Sequence, residues 1–191
     1  MYRALVIFGP PGSGKGTMGK VICELGKIFH LSSGDMFRGM DREIPLGKEI
    51  TEILKQGKLV SDQLTIQLLK SYLEASEVFK GGDQWLMLDG VPRTVPQAEL
   101  LRSFVDVKWI INLQVPDNQV LIDRIKGRAQ IEGRSDDVDQ AVLAERFRIY
   151  ETETALVLNQ YPQDKILNIN ANQPPLVVLS NILTKLIKIM Y

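Results

Sequence analysis

The nonapeptide GPPGSGKGT, residues 9–17, contains the residue types that bind a polyphosphate. It fits the pattern G-x-x-x-x-G-K-S/T, except that Gly16 separates Lys15 from the hydroxyl of Thr17. Glycines let successive backbone N–H groups point towards a phosphate, and a helix that starts behind them adds the positive end of its dipole. Lys15 would place an ammonium on the transferring oxygens, and a nearby hydroxyl would assist a magnesium ion. The segment therefore predicts a binding site for the phosphates of a nucleoside triphosphate.

The elements around this motif predict an α/β fold. Short apolar segments alternate with longer segments of helical period, which predicts a five-stranded parallel sheet with helices on both faces. A P-loop between a strand and a helix has the context that its chemistry requires. The predicted strands are 2–8, about 28–31, 85–89, 107–115 and 165–169, and the predicted helices are 15–27, 61–79, 96–104, 117–127, 138–159 and 175–190.

Three regions interrupt this alternation within what we expect to be a single domain, residues 1–191. Residues 32–60 predict two or three short helices without a strand, and the polar residues 126–137 predict an exposed loop. Residues 170–175, NANQPP, predict a turn before the last helix, because proline suits the first position of a helix.

The composition excludes several classes of function. Lys and Arg number 23 and Asp and Glu also number 23, which argues against a protein built to coat nucleic acid or an anionic membrane. The only cysteine, Cys23, excludes an intrachain disulfide and a four-cysteine zinc site, and its spacing suits the buried side of a helix. No signal peptide opens the chain and no apolar run is long enough to span a membrane, so we expect a cytosolic protein.

Five segments in a fixed order resemble the nucleoside monophosphate kinases. They are GPPGSGKGT, LSSGDMFR, GKLV, LDGVPRTVPQAE, and GRSDD followed by ERFRIYETET. The resemblance implies a P-loop NTPase-type core (1–31, 61–126 and 138–191), a helical acceptor-binding arm (32–60) and a short lid loop (127–137). It also implies Mg-dependent, direct phosphoryl transfer between two nucleotides. Arginines at segment ends agree with this, because such a reaction needs many fixed positive charges.

The resemblance assigns roles to individual residues. Asp89 would reach the magnesium shell through water, and Asp136 and Asp137 would orient the lid arginines. The implied partners are small nucleotides only, bound by a monomer without zinc. The implied catalytic residues are Lys15, Arg93, Arg128, Arg134 and Arg146. The implied ATP-binding residues are Gly12, Ser13, Gly14, Lys15, Gly16, Thr17, Arg124, Arg128 and Gln173. The implied acceptor-binding residues are Ser33, Arg38, Lys58, Leu59, Val60, Gly90, Val91, Pro92, Arg93, Gln97, Arg134 and Arg146.

The acceptor base is predicted from Gln97. Its amide offers a donor and an acceptor that can pair with an adenine edge, and adenine-specific members of the family carry Gln at this position. We therefore expect ATP + AMP ⇌ 2 ADP. Three departures from the family pattern bear on the acceptor site: Ser33 in place of Thr, Val91 in place of an aromatic residue, and Ser61 in place of Pro.

Several alternatives stay open at this stage. A UMP/CMP kinase of the same fold, or a P-loop protein that hydrolyses ATP instead of transferring its phosphate, would share most of these motifs. A P-loop GTPase would need an N-K-x-D motif, which the chain lacks. A small-metabolite kinase would not carry DGVPRTVPQ, and a relative kept only for binding would be expected to lose Lys15 or several arginines.

Overall fold

A computed structural model describes residues 1–132 and 137–190, apart from the side chain of Glu132. Its centre is a parallel sheet of five strands in the order β2-β3-β1-β4-β5. The strands are β1 Tyr2–Phe8, β2 Phe29–Ser32, β3 Leu86–Asp89, β4 Val105–Gln114 and β5 Ile166–Asn170.

The helices cover both faces of this sheet. The bounds of the α-helices are α1 Lys15–Gly26, α2 Ser33–Arg38, α3 Pro45–Lys55, α4 Asp62–Ala75, α5 Val95–Leu101, α6 Asn118–Glu132, α7 Gln140–Ile149 and α8 Pro175–Met190. A π-helical turn, Tyr150–Thr154, and two 3-10 segments, Ala155–Gln160 and Gln163–Lys165, follow α7.

Strand β1 supplies both halves of the core because it is apolar on both faces. Ala4, Val6 and Phe8 pack with α4 and α5 on one side. Leu5 and Ile7 pack with α1 and α8 on the other side. Alternate residues of a strand point to opposite faces, so an uninterrupted apolar strand is what a doubly covered sheet requires. Strand β1 is thereby held by packing on both faces, so the turn that follows it begins at a rigid strand end.

The segment between β2 and α4 forms a separate small layer. Helices α2 and α3 lie in it, and Phe37, Ile50 and Val60 form its own buried cluster. The prediction of short helices without a strand is confirmed for this segment.

The predicted sheet is confirmed, with all five strands in the predicted places. Two other predictions are corrected, one of a loop and one of a helix. The loop predicted at 126–137 is wrong for its first part, because α6 continues through Glu132. The helix predicted at 138–159 is not one α-helix, since α7 starts only after Asp139, whose side chain accepts hydrogen bonds from the N–H groups of Ala141 and Val142, and passes into the π-helical turn after Ile149.

The register of the sheet determines where the phosphate-binding turn lies. Ile7 of β1 pairs with Asp89 at the carboxyl end of β3. The turn after β1 and the carboxylate that ends β3 therefore lie side by side, at the edge where open α/β sheets bind their ligands. Within the described ranges, no helix is long and apolar enough to cross a bilayer.

We expect the packing of α4 against the sheet to contribute strongly to stability. Leu69 is fully buried, at 0% exposure, whereas Leu100 on α5 is exposed. Leu69→Ala should lower the free energy of unfolding by about 2–5 kcal/mol, because it removes apolar contacts and leaves a cavity. The matched variant Leu100→Ala should lower it by less than about 1 kcal/mol. Urea unfolding of both variants measures the difference, and equal losses would contradict this account of the core.

Candidate active site

The turn after β1 takes a conformation that only glycines adopt easily. Gly12 has φ +79° and Gly14 has φ +93°, both in the left-handed region. A side chain at Gly12 would also approach the carbonyl oxygen of Leu121 to 2.6 Å. Helix α1 begins at Lys15, directly after this turn. Its unpaired N–H groups therefore line the cavity, as a phosphate site requires.

Lys15 lies on the wall of this cavity with its ammonium held by the loop itself. Its Nζ donates to the carbonyl oxygens of Gly9 and Pro10 at 2.7 and 2.9 Å. Burial lowers the pKa of Lys15 from its ordinary value to about 7. Asp89 acts against this shift, and the guanidinium groups of nearby arginines add to it. Burial of Lys15 therefore disfavours the charge that a phosphate would need.

Asp89 places a buried carboxylate next to the phosphate-binding turn. It is 7% exposed, and its Oδ2 lies 3.6 Å from the position that a Cβ of Gly16 would take. The glycine between Lys15 and Thr17 therefore leaves room beside the carboxylate. His30 of β2 approaches the same oxygen with its Nε2 at 3.6 Å.

Asp137 binds two arginines from different helices. Arg128 of α6 donates to it through Nε and Nη2 at 2.7 and 2.8 Å, and Arg146 of α7 donates through Nη1 at 2.5 Å. The carboxylate of Asp137 is completely buried, and a buried charge without a partner is costly. The two guanidinium groups compensate this negative charge. The structure thus brings Arg128 and Arg146 together, and Asp137 holds both. The predicted partners Arg134 and Asp136 lie outside the described residues.

A second group of contacts orders the segment after Asp89. The hydroxyl of Ser33 donates to the carbonyl oxygen of Gly90 at 2.7 Å, and Nε of Arg93 donates to the same oxygen at 2.8 Å. Arg38 donates through Nη2 to Oδ1 of Asp35 at 2.8 Å. Two predicted phosphate-binding arginines are therefore oriented by neighbouring oxygens.

Gln97 is buried beside this segment, with 2% exposure. Its Oε1 accepts a hydrogen bond from the backbone N–H of Arg93 at 2.7 Å. An N–H group can only donate, so the oxygen of the amide must lie on this side and the NH₂ group on the other.

Two adjoining cavities collect the predicted residues. The larger has a volume of about 820 Å³ and the smaller about 50 Å³, and Arg38, Arg93 and Arg146 line both. The other predicted residues on the larger cavity are Gly12, Ser13, Gly14, Lys15, Gly16, Thr17, Leu59, Asp89, Gly90, Val91, Pro92, Arg124, Arg128 and Gln173. Those on the smaller cavity include Ser33, Lys58, Leu59, Val60, Gly90 and Gln97. Every predicted site residue that the structure describes thus lines one cavity or both.

Arg124 and Gln173 line the larger cavity beside the turn before α8. Nη1 of Arg124 donates to the carbonyl oxygen of Ala171 at 3.0 Å, and Oε1 of Gln173 accepts from Asn181 at 3.2 Å. Both predicted donor-site residues therefore belong to one region, between α6 and the turn before α8.

Sequence reasoning missed some residues of the cavity wall. Tyr150 and Thr154 line the larger cavity from the π-helical turn, and nothing in the local sequence marks such a turn. Burial raises the pKa of Tyr150. Asp35 was also missed, although an acidic residue three positions before Arg38 on a predicted helix is a recognisable pairing signal.

Known proteins resemble this chain over most of its length. A model of the adenylate kinase family matches residues 7–166. The adenylate kinase of Cyanothece sp. is 41% identical over 177 residues, which cover 89% of this chain and 88% of that protein. The adenylate kinase of Xylella fastidiosa is 41% identical over 169 residues, covering 85% and 87%. That of Synechococcus sp. is 35% identical over 180 residues, covering 89% of both chains.

The lowered pKa of Lys15 predicts proton uptake when a polyphosphate binds. With a pKa of about 7, Lys15 is mostly neutral at pH 8 in the free protein, and a bound anion should restore its charge. ATP binding at pH 8 should therefore take up close to one proton per site. Titration calorimetry in buffers of different ionisation enthalpy measures this uptake.

Two variants control for other titrating groups. Lys15→Arg keeps a permanent charge and should take up no proton through this position, whereas Lys20→Met, an exposed lysine at the cavity wall, should behave like the unmodified protein. An unmodified protein that binds ATP at pH 8 without proton uptake would show that Lys15 is already charged in the empty site.

Proposed function

The chain belongs to the adenylate kinase family, and from this premise we propose how its residues carry out the reaction. The enzyme transfers a phosphoryl group reversibly from ATP to AMP and forms two molecules of ADP. The observation that carries the proposal is that Arg38, Arg93 and Arg146 line both cavities. Groups that face two adjoining anion sites can stabilise charge on both sides of a direct transfer.

The phosphate-binding turn holds the donor. The backbone of residues 12–17, where α1 starts, binds the phosphates of ATP through its N–H groups, except that the N–H of Ser13 already donates to the carbonyl oxygen of Pro10 at 3.1 Å. Lys15 exchanges the carbonyl oxygens of Gly9 and Pro10 for phosphate oxygens when ATP binds. Arg124 and Gln173 line the part of the cavity assigned to the base of ATP.

The acceptor site consists of the smaller cavity together with the part of the larger cavity that adjoins it. Arg93 and Arg38 bind the phosphate of AMP, and both are already oriented by oxygens of Gly90 and Asp35. Gln97 reads the base through its amide, whose NH₂ group suits the ring nitrogen on the adenine edge that accepts a hydrogen bond. The remaining acceptor wall consists of Ser33, Lys58, Leu59, Val60, Gly90, Val91 and Pro92.

Arg128 and Arg146 stabilise the group in transit. Asp137 fixes both guanidinium groups, and the bidentate contact uses two of the five N–H donors of Arg128. The other donors can meet the equatorial oxygens of the transferring phosphoryl group. The resemblance to the family gives Arg134 the same role, which is to stabilise negative charge on the transferring phosphoryl group. A phosphate oxygen of AMP attacks directly, so no side chain acts as a covalent nucleophile.

We propose magnesium as the metal that accompanies ATP. The donor chemistry fits, because the carboxylate of Asp89 and the hydroxyl of Thr17 are oxygen ligands on the cavity wall. Among the described residues no three His, Cys, Asp or Glu side chains come together. Magnesium commonly uses only one or two carboxylates, with phosphates and waters completing its shell. Bound there, it would neutralise charge on the β- and γ-phosphates.

We also propose that the enzyme is a cytosolic monomer. One chain contains both cavities and all the described groups that we assign to the reaction. The lone thiol of Cys23 is buried, so it offers no exposed sulfur for a disulfide between chains.

A panel of acceptors tests the reaction directly. With Mg-ATP, we expect rapid ADP formation with AMP, much slower formation with CMP, UMP or GMP, and little ATP loss without an acceptor. The expectation follows from the orientation of Gln97 and from an acceptor site separate from the donor site. A coupled assay for ADP measures all five reactions. Preference for CMP or UMP would overturn the choice of base, and equal ATP loss in every reaction would overturn phosphoryl transfer to a nucleotide.

Gln97→Glu removes the amide donor of Gln97 and places a carboxylate at the same position. Glutamate keeps the shape and the oxygen that accepts from the N–H of Arg93, but it removes the NH₂ group that would contact adenine. The KM for AMP should rise roughly 10- to 100-fold, as the loss of one buried hydrogen bond implies, while the KM for ATP stays within about twofold. Steady-state kinetics with each substrate varied in turn provide both values.

Gln67→Glu is the matched control, because Gln67 is an exposed residue of α4. Its kinetic constants should equal those of the unmodified enzyme. An unchanged KM for AMP in Gln97→Glu would show that Gln97 does not read the base.

A further inference from the structure

Two residues that make no proposed contact with a substrate connect the acceptor site to the acceptor-binding arm, residues 32–60. We propose that Asp62 and Thr94 are positioning residues, which fix the amide of Gln97 and so determine the affinity for the acceptor. This inference rests on the proposed function of the smaller cavity. Neither residue contacts a substrate in the proposed mechanism.

Thr94 lies at the centre of the connection, directly before α5. Its hydroxyl donates to Oδ1 of Asp62 at 2.7 Å and accepts from the backbone N–H of Gln97 at 3.2 Å. A hydroxyl has one hydrogen to donate, so the carboxylate determines which way the O–H bond points. The lone pairs then face the N–H group at the start of α5. Asp62 therefore makes Thr94 a fixed cap of this helix.

The next contact fixes the amide. Because the backbone N–H of Gln97 is bound by Thr94, the main chain of Gln97 cannot turn about the start of α5 without breaking that bond. Its Oε1 is bound by the backbone N–H of Arg93 at 2.7 Å. Both ends of Gln97 are thus fixed while the residue is buried at 2% exposure. An amide flip would bring NH₂ against N–H, two donors with no acceptor between them.

The orientation has a consequence for the acceptor base. Adenine presents a ring nitrogen that accepts and an amino group that donates, which suits an NH₂ group beside an oxygen. Hypoxanthine has nearly the same shape but presents a ring N–H that donates and a carbonyl that accepts. It would need the flipped amide. The fixed orientation therefore favours AMP over IMP.

Asp62 also joins this unit to the arm. It is the first residue of α4, two positions after the wall segment Lys58–Val60, and Ser61 between them makes no side-chain cap. The contact with Thr94 therefore connects the start of α4 to the start of α5, and Oγ1 of Thr65 binds the carbonyl oxygen of Val60 at 3.3 Å within the same corner. Two walls of the acceptor cavity are positioned by one carboxylate–hydroxyl pair.

Thr94→Val tests the inference, because valine keeps the shape of threonine and removes the hydroxyl. We expect the KM for AMP to rise about tenfold, with the KM for ATP within about twofold and the preference for AMP over IMP reduced. Thr94→Ser, which restores a hydroxyl, should return both acceptor values towards those of the unmodified enzyme. Asp62→Ala should repeat the effect of Thr94→Val. Thr51→Val is the matched control, since the hydroxyl of Thr51 binds only the Gly47 carbonyl of its own helix among the described residues.

Calorimetric AMP binding to the same variants provides a readout that does not depend on turnover, and thermal unfolding reports whether each variant folds. A purely structural role would lower the melting temperature and leave the AMP affinity of the folded protein unchanged, or weaken both substrates equally. Either result would overturn the inference. If the unmodified enzyme binds AMP but transfers no phosphate, the proposed function fails, and the binding data still decide the roles of Asp62 and Thr94.

Discussion

The mutual repulsion of positive side chains around one cavity is the constraint on which the rest of this structure depends. Lys15, Arg93, Arg128 and Arg146 must all face the same space if two anionic nucleotides are to meet there. Together with burial, this crowding contributes to the lowered pKa of Lys15. The free enzyme therefore holds an arrangement that is electrostatically unfavourable until its substrates bind. The doubly covered sheet provides the stability that such a site requires.

The anchors of these cations show how orientation is achieved without cancelling charge. Backbone carbonyls orient Lys15, Arg93 and Arg124, and a carbonyl is neutral overall. Carboxylates orient the others: among the described contacts, Asp137 serves both Arg128 and Arg146, and Asp35 binds Arg38. A separate carboxylate for Arg128 and for Arg146 would fix these two side chains equally well and would neutralise more of the positive field that the substrates need. The choice of anchors therefore follows from the chemistry.

Local pattern was sufficient to predict the sheet, and the resemblance to the family supplied most of the residues that line the two cavities. Apolar strands that are buried on both faces leave a signal in sequence; Asp89 ends one such strand, and Lys15 lies seven residues after the end of another. The end of α6 was mispredicted because glycine and charged residues at 126–132 resemble a loop locally, although they continue a helix. The π-helical turn after α7 was missed because no residue type specifies it. The pairing of Asp62 with Thr94, 32 positions apart, depends on how α4 and α5 pack and has no local signature.

In the proposed mechanism, the hydrogen bond between Gln97 and Arg93 links recognition of the base to binding of the phosphate. Gln97, which we propose reads the base, and Arg93, which we propose binds the acceptor's phosphate, are four positions apart and share one N–H···O contact of 2.7 Å. A base that forces the amide out of place also withdraws a partner from the backbone of Arg93. A wrong acceptor therefore loses a contact to its base and the correct position of a phosphate-binding group. Discrimination of this kind acts on the transition state as well as on binding, which is how a site distinguishes nucleotides that differ by only a few atoms.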